Sequence, residues 1–335
     1  MKHASQVRSP GRKVSRVHAR SQIALTPRGE VRDHVDEHSV DPETEHFVTH
    51  RNLLFTIAYE LLGSATDAED VLQETWMRWT KVDLHRVRDE RAYLVRIVAR
   101  QSLNHLRMVK ARRETYVGAW LPEPVLTTRG VAENAELAES LSMAMMVVLE
   151  TLSPTERAVF VLREVFDVSY EEIAAAVHKS PAAVRQVLHR ARAHVDSRRP
   201  RMTVSPHEAR AALKSFQRAF ENGDVQGLLD VLAPNVVLIA DGGGIKQAAV
   251  RPVLGAARVI RLIAGGLRKA VAAGFELSAA PAVVNGNPAL LLRLNGEVDG
   301  IMTIRVEDAR ITGIYYVRNP EKLRRLDVAV PLAFA

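Results

Sequence analysis

The chain reads as a multidomain protein in which two all-α domains, a helical bundle and a helix-turn-helix, precede a C-terminal α+β cone; three observations predict this. Apolar residues recur at helical spacing from Phe47 to Leu106. Two short helices meet at a tight turn between Ser169 and Val195. After Pro200 the pattern changes to helices followed by short apolar strands divided by turn residues. With 335 residues and 47% apolar content, two or three compact domains are within reach.

The elements follow in order. In residues 1–42, Lys2, Arg8, Arg12, Lys13, Arg16, Arg20 and Arg28 precede the first acidic residue, Glu30, with few large apolar side chains between them. A basic disordered segment is expected, either a DNA-tethering arm or a solvated tail. Residues 43–113 predict a helical bundle. Its first helix presents Phe47, Leu53, Leu54, Ile57, Ala58, Leu61 and Leu62 and stops at Gly63; a second, from Thr66, presents Val71, Leu72, Trp76 and Trp79. A third, from Asp89, adds Tyr93, Leu94, Ile97, Val98, Leu103 and Leu106 to the same core. The second helix is acidic outside the core at Asp67, Glu69, Asp70 and Glu74, while the third is basic at Arg91, Arg96, Arg100, Arg107, Lys110, Arg112 and Arg113. Compensation of the helix N-terminal dipole would also account for the acids.

Residues 114–139 form a linker, with Trp120, Pro122, Pro124 and Gly130 excluding a regular element from its first half. Trp120 and Leu121 are too apolar for a free tether and are expected to dock on a domain surface, the prolines holding the segment extended. In residues 140–200 an apolar helix leads to Ser153, Pro154 and Glu156, which read as a cap, a first helical position and its third. A helix from Ser169 then buries Ile173, Ala174 and Val177, and His178 and Lys179 make a turn. Histidine tolerates a left-handed backbone less well than glycine. Ser180 and Pro181 restart a helix that buries Ala183, Val184, Val187, Leu188 and Ala191. Its other surface carries Arg185, Gln186, His189, Arg190 and Arg192, donors suited to phosphates and base edges. In such motifs the second helix lies in the major groove, although an ordinary amphipathic pair with a solvated basic face has the same pattern.

Residues 201–335 predict helices at Pro206–Asn222 and Val225–Leu232, a strand at Asn235–Ala240, and a tight exposed loop at Asp241 and its three glycines. A helix near Ala256–Val271 precedes strands at Phe275–Val284, Ala289–Leu294, Glu297–Val306 and Ile311–Val317. Turns are supplied by Asn285–Pro288, by Asn295 and Gly296, and by Asp308 and Ala309. Acid-base catalysis usually employs a histidine, and none follows His207. Asp241, Glu276, Glu297 and Asp299 remain as alternatives, but the reading is of a protein that is not an enzyme.

A net charge of +7 and a pI near 9.8 favour a polyanion without requiring one. The absence of cysteine excludes disulfides, thiolate zinc sites and cysteine nucleophiles. No apolar run approaches a membrane span and Met1–Arg32 lacks a secretory core, so a cytoplasmic protein with no membrane partner, cofactor or metal is expected.

Three sets of residues carry a family resemblance. FVTHRNLLFTIAYELLGSATDAEDVLQETW (Phe47–Trp76), LSPTERAVFVLREVF (Leu152–Phe166) and the helix pair at Ser169–Val195 resemble, in order and separation, the two conserved regions of extracytoplasmic-function (ECF) sigma factors. RRETYVGAWLPEPV (Arg112–Val125), DGGG (Asp241–Gly244) and NPEKL (Asn319–Leu323) resemble the SigJ-like (ECF41) group, whose added domain has the SnoaL-like, NTF2-like fold. The resemblance covers about residues 43–330 and implies a sigma factor that binds core RNA polymerase and directs initiation at selected promoters, modulated by its fused domain. It places the clamp helices of the largest polymerase subunit against Asp67, Glu69, Asp70, Gln73 and Glu74. Melted minus-10 DNA falls to Arg96, Arg100, Asn104 and Arg107. The minus-35 element falls to Ser180, Arg185, Gln186, His189, Arg190 and Arg192, in a domain that also touches the polymerase flap. It implies a regulatory interdomain contact through Trp120, Leu121 and Pro122, through Asp241, Gly242, Gly243, Gly244 and Lys246, and through Asn319, Pro320, Lys322 and Leu323. Two departures stand out: His178 occupies a position where a small residue is common, and Ile245 separates Gly244 from Lys246 where the group reads DGGGK. An Asn319 cap ahead of Pro320 would explain the NPEKL letters equally well. The rival readings are a DNA-binding regulator independent of polymerase and a SnoaL-type small-molecule enzyme.

Overall fold

The computed structural model describes residues 42–113, 115–127, 134–198, 204–326 and 330–333. The basic segment expected over residues 1–42 lies outside them apart from its last residue, as do Gly130 and the side chains of Lys110, Arg112 and Arg113.

Helix α1 (Pro42–Leu62) ends at Gly63, whose φ of 68° turns the chain sharply into α2 (Ala65–Trp79). The α2 cap is Ser64, whose hydroxyl accepts from the Asp67 N–H at 3.1 Å, so this helix starts one residue before the expected Thr66. Helix α3 (Glu90–Arg113) packs on both. All seven apolar residues assigned to α1 are buried, as are Val71, Leu72, Trp79, Leu94, Val98, Leu103 and Leu106.

The second helical segment contains α4 (Ala135–Ser140), α5 (Met143–Glu150), α6 (Pro154–Phe160), α7 (Tyr170–Val177) and α8 (Pro181–Asp196). Ser153 and Ser169 each form a reciprocal capping box, with Glu156 and Glu172 respectively. Between α6 and α7 the chain widens into a π turn at Val161–Val165, which no residue pattern announced. His178 closes α7 in the left-handed conformation (φ 55°, ψ 52°), its N–H bonded to the Ala174 carbonyl. A β-carbon there is strained, so His178→Gly should stabilise the helix pair by about 1 kcal/mol. Thermal unfolding checks this, and an unchanged or lowered melting temperature would contradict it. The two helical segments share one hydrophobic core that runs from Phe47 through Leu106 to Val195.

At the seam inside that core sits Glu60 of α1, fully buried. Its Oε1 accepts from Ser140 Oγ at 2.6 Å, while Oε2 is buried with no hydrogen-bond partner among the described residues. Arg157 of α6, also buried, donates to the Glu60 backbone carbonyl and pairs with Glu150. Burial pushes the Glu60 carboxyl up to about 7, against the opposing Ser140 hydrogen bond and Arg157 charge. The folded group therefore holds its proton over a range where the unfolded one has lost it, so stability falls as pH rises from about 4.5 to about 7. Glu60→Gln keeps the Ser140 bond and cannot ionise. It should flatten this dependence and raise the melting temperature at pH 8; a variant no more stable than the parent at pH 8 would contradict the assignment.

The C-terminal segment opens with α9 (Pro206–Glu221) and α10 (Val225–Val231). Strands β1 (Leu232–Asp241) and β2 (Val253–Leu254) follow, then α11 (Ala256–Ala272) and strands β3 (Leu277–Val284), β4 (Asn287–Leu294), β5 (Glu297–Glu307) and β6 (Arg310–Val317). The sheet order is β2-β1-β6-β5-β4-β3, antiparallel except for β1 and β6. This is the expected α+β cone. β2 is too short to leave a sequence pattern. The β3–β4 turn is confined to Asn285 and Gly286, so Asn287 and Pro288, expected in the turn, belong to β4. Two successive residues at positive φ match the strand twist, which leaves no need for a longer loop.

Both faces of the sheet are buried. Leu238, Leu290, Leu292, Met302 and Ile314 meet α9 and α11 on one side. Val284, Ala289, Ile301, Tyr315 and Val317 meet Leu121 of the linker and Met143 and Ala144 of α5 on the other.

Candidate functional site

Acidic residues gather on α2, with Asp70, Gln73 and Glu74 exposed and Asp67 and Glu69 partly covered. Glu69 accepts two hydrogen bonds from Arg51 at 2.8 and 2.9 Å, and Asp67 Oδ1 lies 3.2 Å from His105 Nε2. Arg325, two residues past the NPEKL signature, comes within 3.9 Å of Glu69.

On α3 the four residues Arg96, Arg100, Asn104 and Arg107 are all exposed. Their spacing of four, four and three aligns them along one helix face.

The outer surface of α8 divides into two sets. Ser180 is occupied as the helix cap, its Oγ accepting from the Ala183 N–H at 3.2 Å. Arg185 stacks over the Tyr170 ring at 4.8 Å and lies 4.0 Å from Glu171, and Arg192 donates to Glu164 at 2.6 Å. These arginines are steered by their own domain. Gln186, His189 and Arg190 are exposed on the same helix.

The third cluster joins the linker to the C-terminal domain. Asp241, expected in an exposed loop, is fully buried. Its Oδ1 accepts from Tyr116 OH at 2.6 Å and from the Gly243 N–H at 3.0 Å; its Oδ2 accepts from the Leu121 N–H at 2.9 Å and from Lys322 Nζ at 2.7 Å. The backbone carbonyl of Asp241 takes the N–H groups of Arg318 and Asn319 at 2.7 and 2.9 Å. The loop therefore starts as a buried junction at Asp241 and Gly242, while Gly244 and Ile245 at its tip are exposed as expected. Gly243 is obligatory there: at φ 64° a β-carbon would come within 2.3 Å of the Asn319 amide nitrogen. Asn319 serves twice, capping the short helix Pro320–Leu323 and donating to Tyr116 OH of the linker at 2.9 Å. Lys322 also donates to the Leu121 carbonyl and sits 4.1 Å from the Trp120 ring centroid, a cation-π distance. Burial, and then the adjoining Asp241 carboxylate, push the Tyr116 phenol up, which keeps it a neutral donor.

Trp120 and Leu121 dock as expected, with Leu121 and Pro122 buried. The Trp120 ring lies over Gly63, where a β-carbon would fall 2.8 Å from it. Leu323 packs at the margin of the Leu121 cluster. Lys246 is the exception in this set. It pairs with Asp299 at 3.0 Å, within the C-terminal domain.

Several residues of the junction were missed. Glu123 of the linker spans Gly63 and the start of α2: its N–H donates to the Gly63 carbonyl at 2.8 Å and its carboxylate accepts from Ser64 Oγ and the Thr66 N–H. Tyr59 of α1 donates to the Glu123 carbonyl at 2.6 Å and lies 3.1 Å from Asn285 Oδ1. Asn285 exchanges hydrogen bonds with Val125 at 3.0 and 2.9 Å. The linker thus runs in a groove between α1 and the β3–β4 hairpin. Further along, Val330 pairs with Thr127, Leu332 enters the helical core and the Ala333 N–H donates to Thr56 Oγ at 2.9 Å. One available signal was the apolar content of both faces in strands such as NPALLLRL and RITGIYYV, which marks a sheet covered on two sides.

Of the acids considered for catalysis, Asp241 is consumed by this junction and Glu276 and Glu297 are exposed. Among the described residues no helix is long and apolar enough to cross a membrane.

Comparison with known proteins agrees with this architecture. The model of Sigma-70 region 2 matches residues 46–113, and that of Sigma-70, region 4 matches residues 142–195. The chain is similar to the ECF RNA polymerase sigma factor SigJ of Mycobacterium tuberculosis, at 35% identity over 291 residues covering 84% of this chain and 93% of the relative. It is similar also to the probable ECF RNA polymerase sigma factor SigI of the same species, at 32% identity over 84% of this chain and 95% of the relative. The crystal structure of Mycobacterium tuberculosis SigJ superposes with a TM-score of 0.66 at 32% identity, covering 83% of this chain and 97% of the other. Two sigma regions in order, and relatives that match across the C-terminal domain as well, place this chain in the family of ECF RNA polymerase sigma factors.

Proposed function

We propose that the linker and C-terminal domain hold the two sigma regions closed on one another, and that promoter opening requires this clasp to release. The observation that carries the reading is the linker itself, tied at once to α1 and α2 through Tyr59 and Glu123 and to the C-terminal domain through Asp241 and Lys322. In the released protein the acidic face of α2, with Asp67, Glu69, Asp70, Gln73 and Glu74, serves the clamp helices of core polymerase. Arg325 supports this, since a cation next to Glu69 occupies part of that face in the closed form. Arg96, Arg100, Asn104 and Arg107 serve minus-10 DNA, and Gln186, His189 and Arg190 serve the minus-35 element, in a domain that also touches the flap. Most binding energy would come from phosphates and selectivity from few side chains.

The C-terminal domain acts as a regulator without catalysis of its own. Asp299, the buried acid of its cavity, is not poised as a base. Burial pushes its carboxyl up, but the hydrogen bonds and charge of Arg318, with Tyr316 and Lys246, outweigh this and hold it at about 2.

Core-polymerase pull-down and in vitro transcription with the full-length chain, a form ending at residue 200 and a form ending before Asn319 test the proposal. All forms should associate with core enzyme, and removal of the Asn319–Leu323 signature should raise transcript yield. No association by any form would remove the polymerase roles of α2; equal yields from the full-length and clasp-truncated forms would remove the clasp.

A further inference from the structure

The C-terminal cone encloses a cavity of about 780 Å³ between α11 and the inner face of the sheet, within the range of small-molecule sites. Three features of it are unexplained by the chain itself. Leu262 and Phe275 at its wall remain 44% and 45% exposed, while Leu292 and Met302 of the sheet form an apolar floor. Gly265 and Gly266 lie side by side in the middle of α11 and line the same space. Glycine is among the poorest residues for a helix interior, and neither position has a positive φ. A β-carbon at either would meet nothing within 4 Å, so no neighbour among the described residues demands them. They keep open room that the chain does not fill.

The third feature is the polar end. Asp299 Oδ1 accepts from Lys246 Nζ at 3.0 Å and Arg318 Nη2 at 2.8 Å; Oδ2 accepts from Tyr316 OH at 2.6 Å and Arg318 Nε at 3.0 Å. All four acceptor positions are thereby filled, and an incoming cation would find no oxygen to bind. Arg318 is differently placed. Of its five N–H groups, two go to Asp299, one to the Gln247 carbonyl and one is engaged by the Tyr316 hydroxyl, which leaves one for a guest among the described residues. Asp299 offsets only one of the positive charges of Arg318 and Lys246, and Arg261 and Lys269 add two more on the cavity wall. The same Arg318 donates its backbone N–H to Asp241, so the polar end of the cavity adjoins the junction with the linker.

We infer that this cavity binds a small amphipathic anion, its acidic head against Arg318 and its apolar body between Gly265–Gly266 and the sheet floor. The proposal does not depend on the sigma-factor roles above, because binding is measured directly. Titration calorimetry on the full-length protein would compare decanoate, decan-1-ol and decyltrimethylammonium, which share one chain length and differ in head charge. Decanoate should bind at least tenfold more tightly than either of the others. Gly265→Leu and Gly266→Leu place a side chain in space that is empty without a guest. Each should keep or raise the melting temperature while weakening decanoate at least tenfold. Absence of decanoate binding, equal binding of the three probes, or undiminished binding to both folded leucine variants would each overturn the inference.

Discussion

Asp241→Ala detaches the linker from the C-terminal domain, with an expected loss of about 3 to 5 kcal/mol, the usual consequence of removing one partner from a buried ion pair. Asp241 is fully buried and the Lys322 side chain is only 12% exposed, so the lysine would be left charged in a site that water scarcely reaches. The Leu121 N–H and the Tyr116 hydroxyl lose their acceptor in the same step. Chemical denaturation should show the C-terminal domain losing cooperativity with the helical segments. The double variant Asp241→Leu with Lys322→Met removes both charges and should recover part of the loss, since an apolar pair has no uncompensated charge. If the single variant were as stable as the parent, or the double variant worse than the single, the junction would not be the electrostatic clasp described here. A transcription assay with the same variants reads the functional side: if the clasp restrains the sigma regions, Asp241→Ala changes yield in the same direction as truncation before Asn319.

The second large effect is expected on α8. Replacing Gln186 and Arg190 together by Ala should weaken binding to a cognate minus-35 element by roughly 30- to 1,000-fold, about 2 to 4 kcal/mol for two base-edge contacts. Binding to unrelated DNA should change far less, because phosphate contacts supply most of it. Arg185→Ala and Arg192→Ala are the contrast. Their guanidinium groups lie against Tyr170 and Glu164, so each should cost stability of the helix pair and leave sequence preference alone. Competition binding with matched and mutated promoter fragments separates the two outcomes. An Arg192 variant that loses preference as severely as the Gln186–Arg190 pair would overturn the division.

The helix-turn-helix was legible because its signals are local. Ser169 with Glu172 and Ser180 with Pro181 are caps complete within four residues, and the apolar spacing of Ile173 to Ala191 needs no distant partner. Asn285–Gly286 and Asn295–Gly296 announce hairpins for the same reason, both residues of each pair adopting positive φ. Where a residue has two possible tasks, the letters alone did not discriminate. Arg185 and Arg190 are both exposed on the same helix, and only the position of Tyr170 shows that the Arg185 guanidinium is stacked on its own domain. Asn285 read as a turn residue, yet it also bonds Val125 and lies against Tyr59, residues 160 and 226 positions away.

Sequence alone determined that two helical regions precede an α+β cone, which helices carry acidic and basic faces, and that the linker must dock Trp120 and Leu121 on a domain surface. Those properties follow from periodicity, capping and side-chain polarity, which act over a turn or two of chain. Only the tertiary structure decided that the two regions share one core, that Asp241 is buried rather than exposed, and that Lys246 turns inward to Asp299. Such pairings depend on which surfaces meet. A carboxylate whose two oxygens accept from Tyr116, Leu121 and Lys322 acquires its environment from segments more than 80 residues away in the chain.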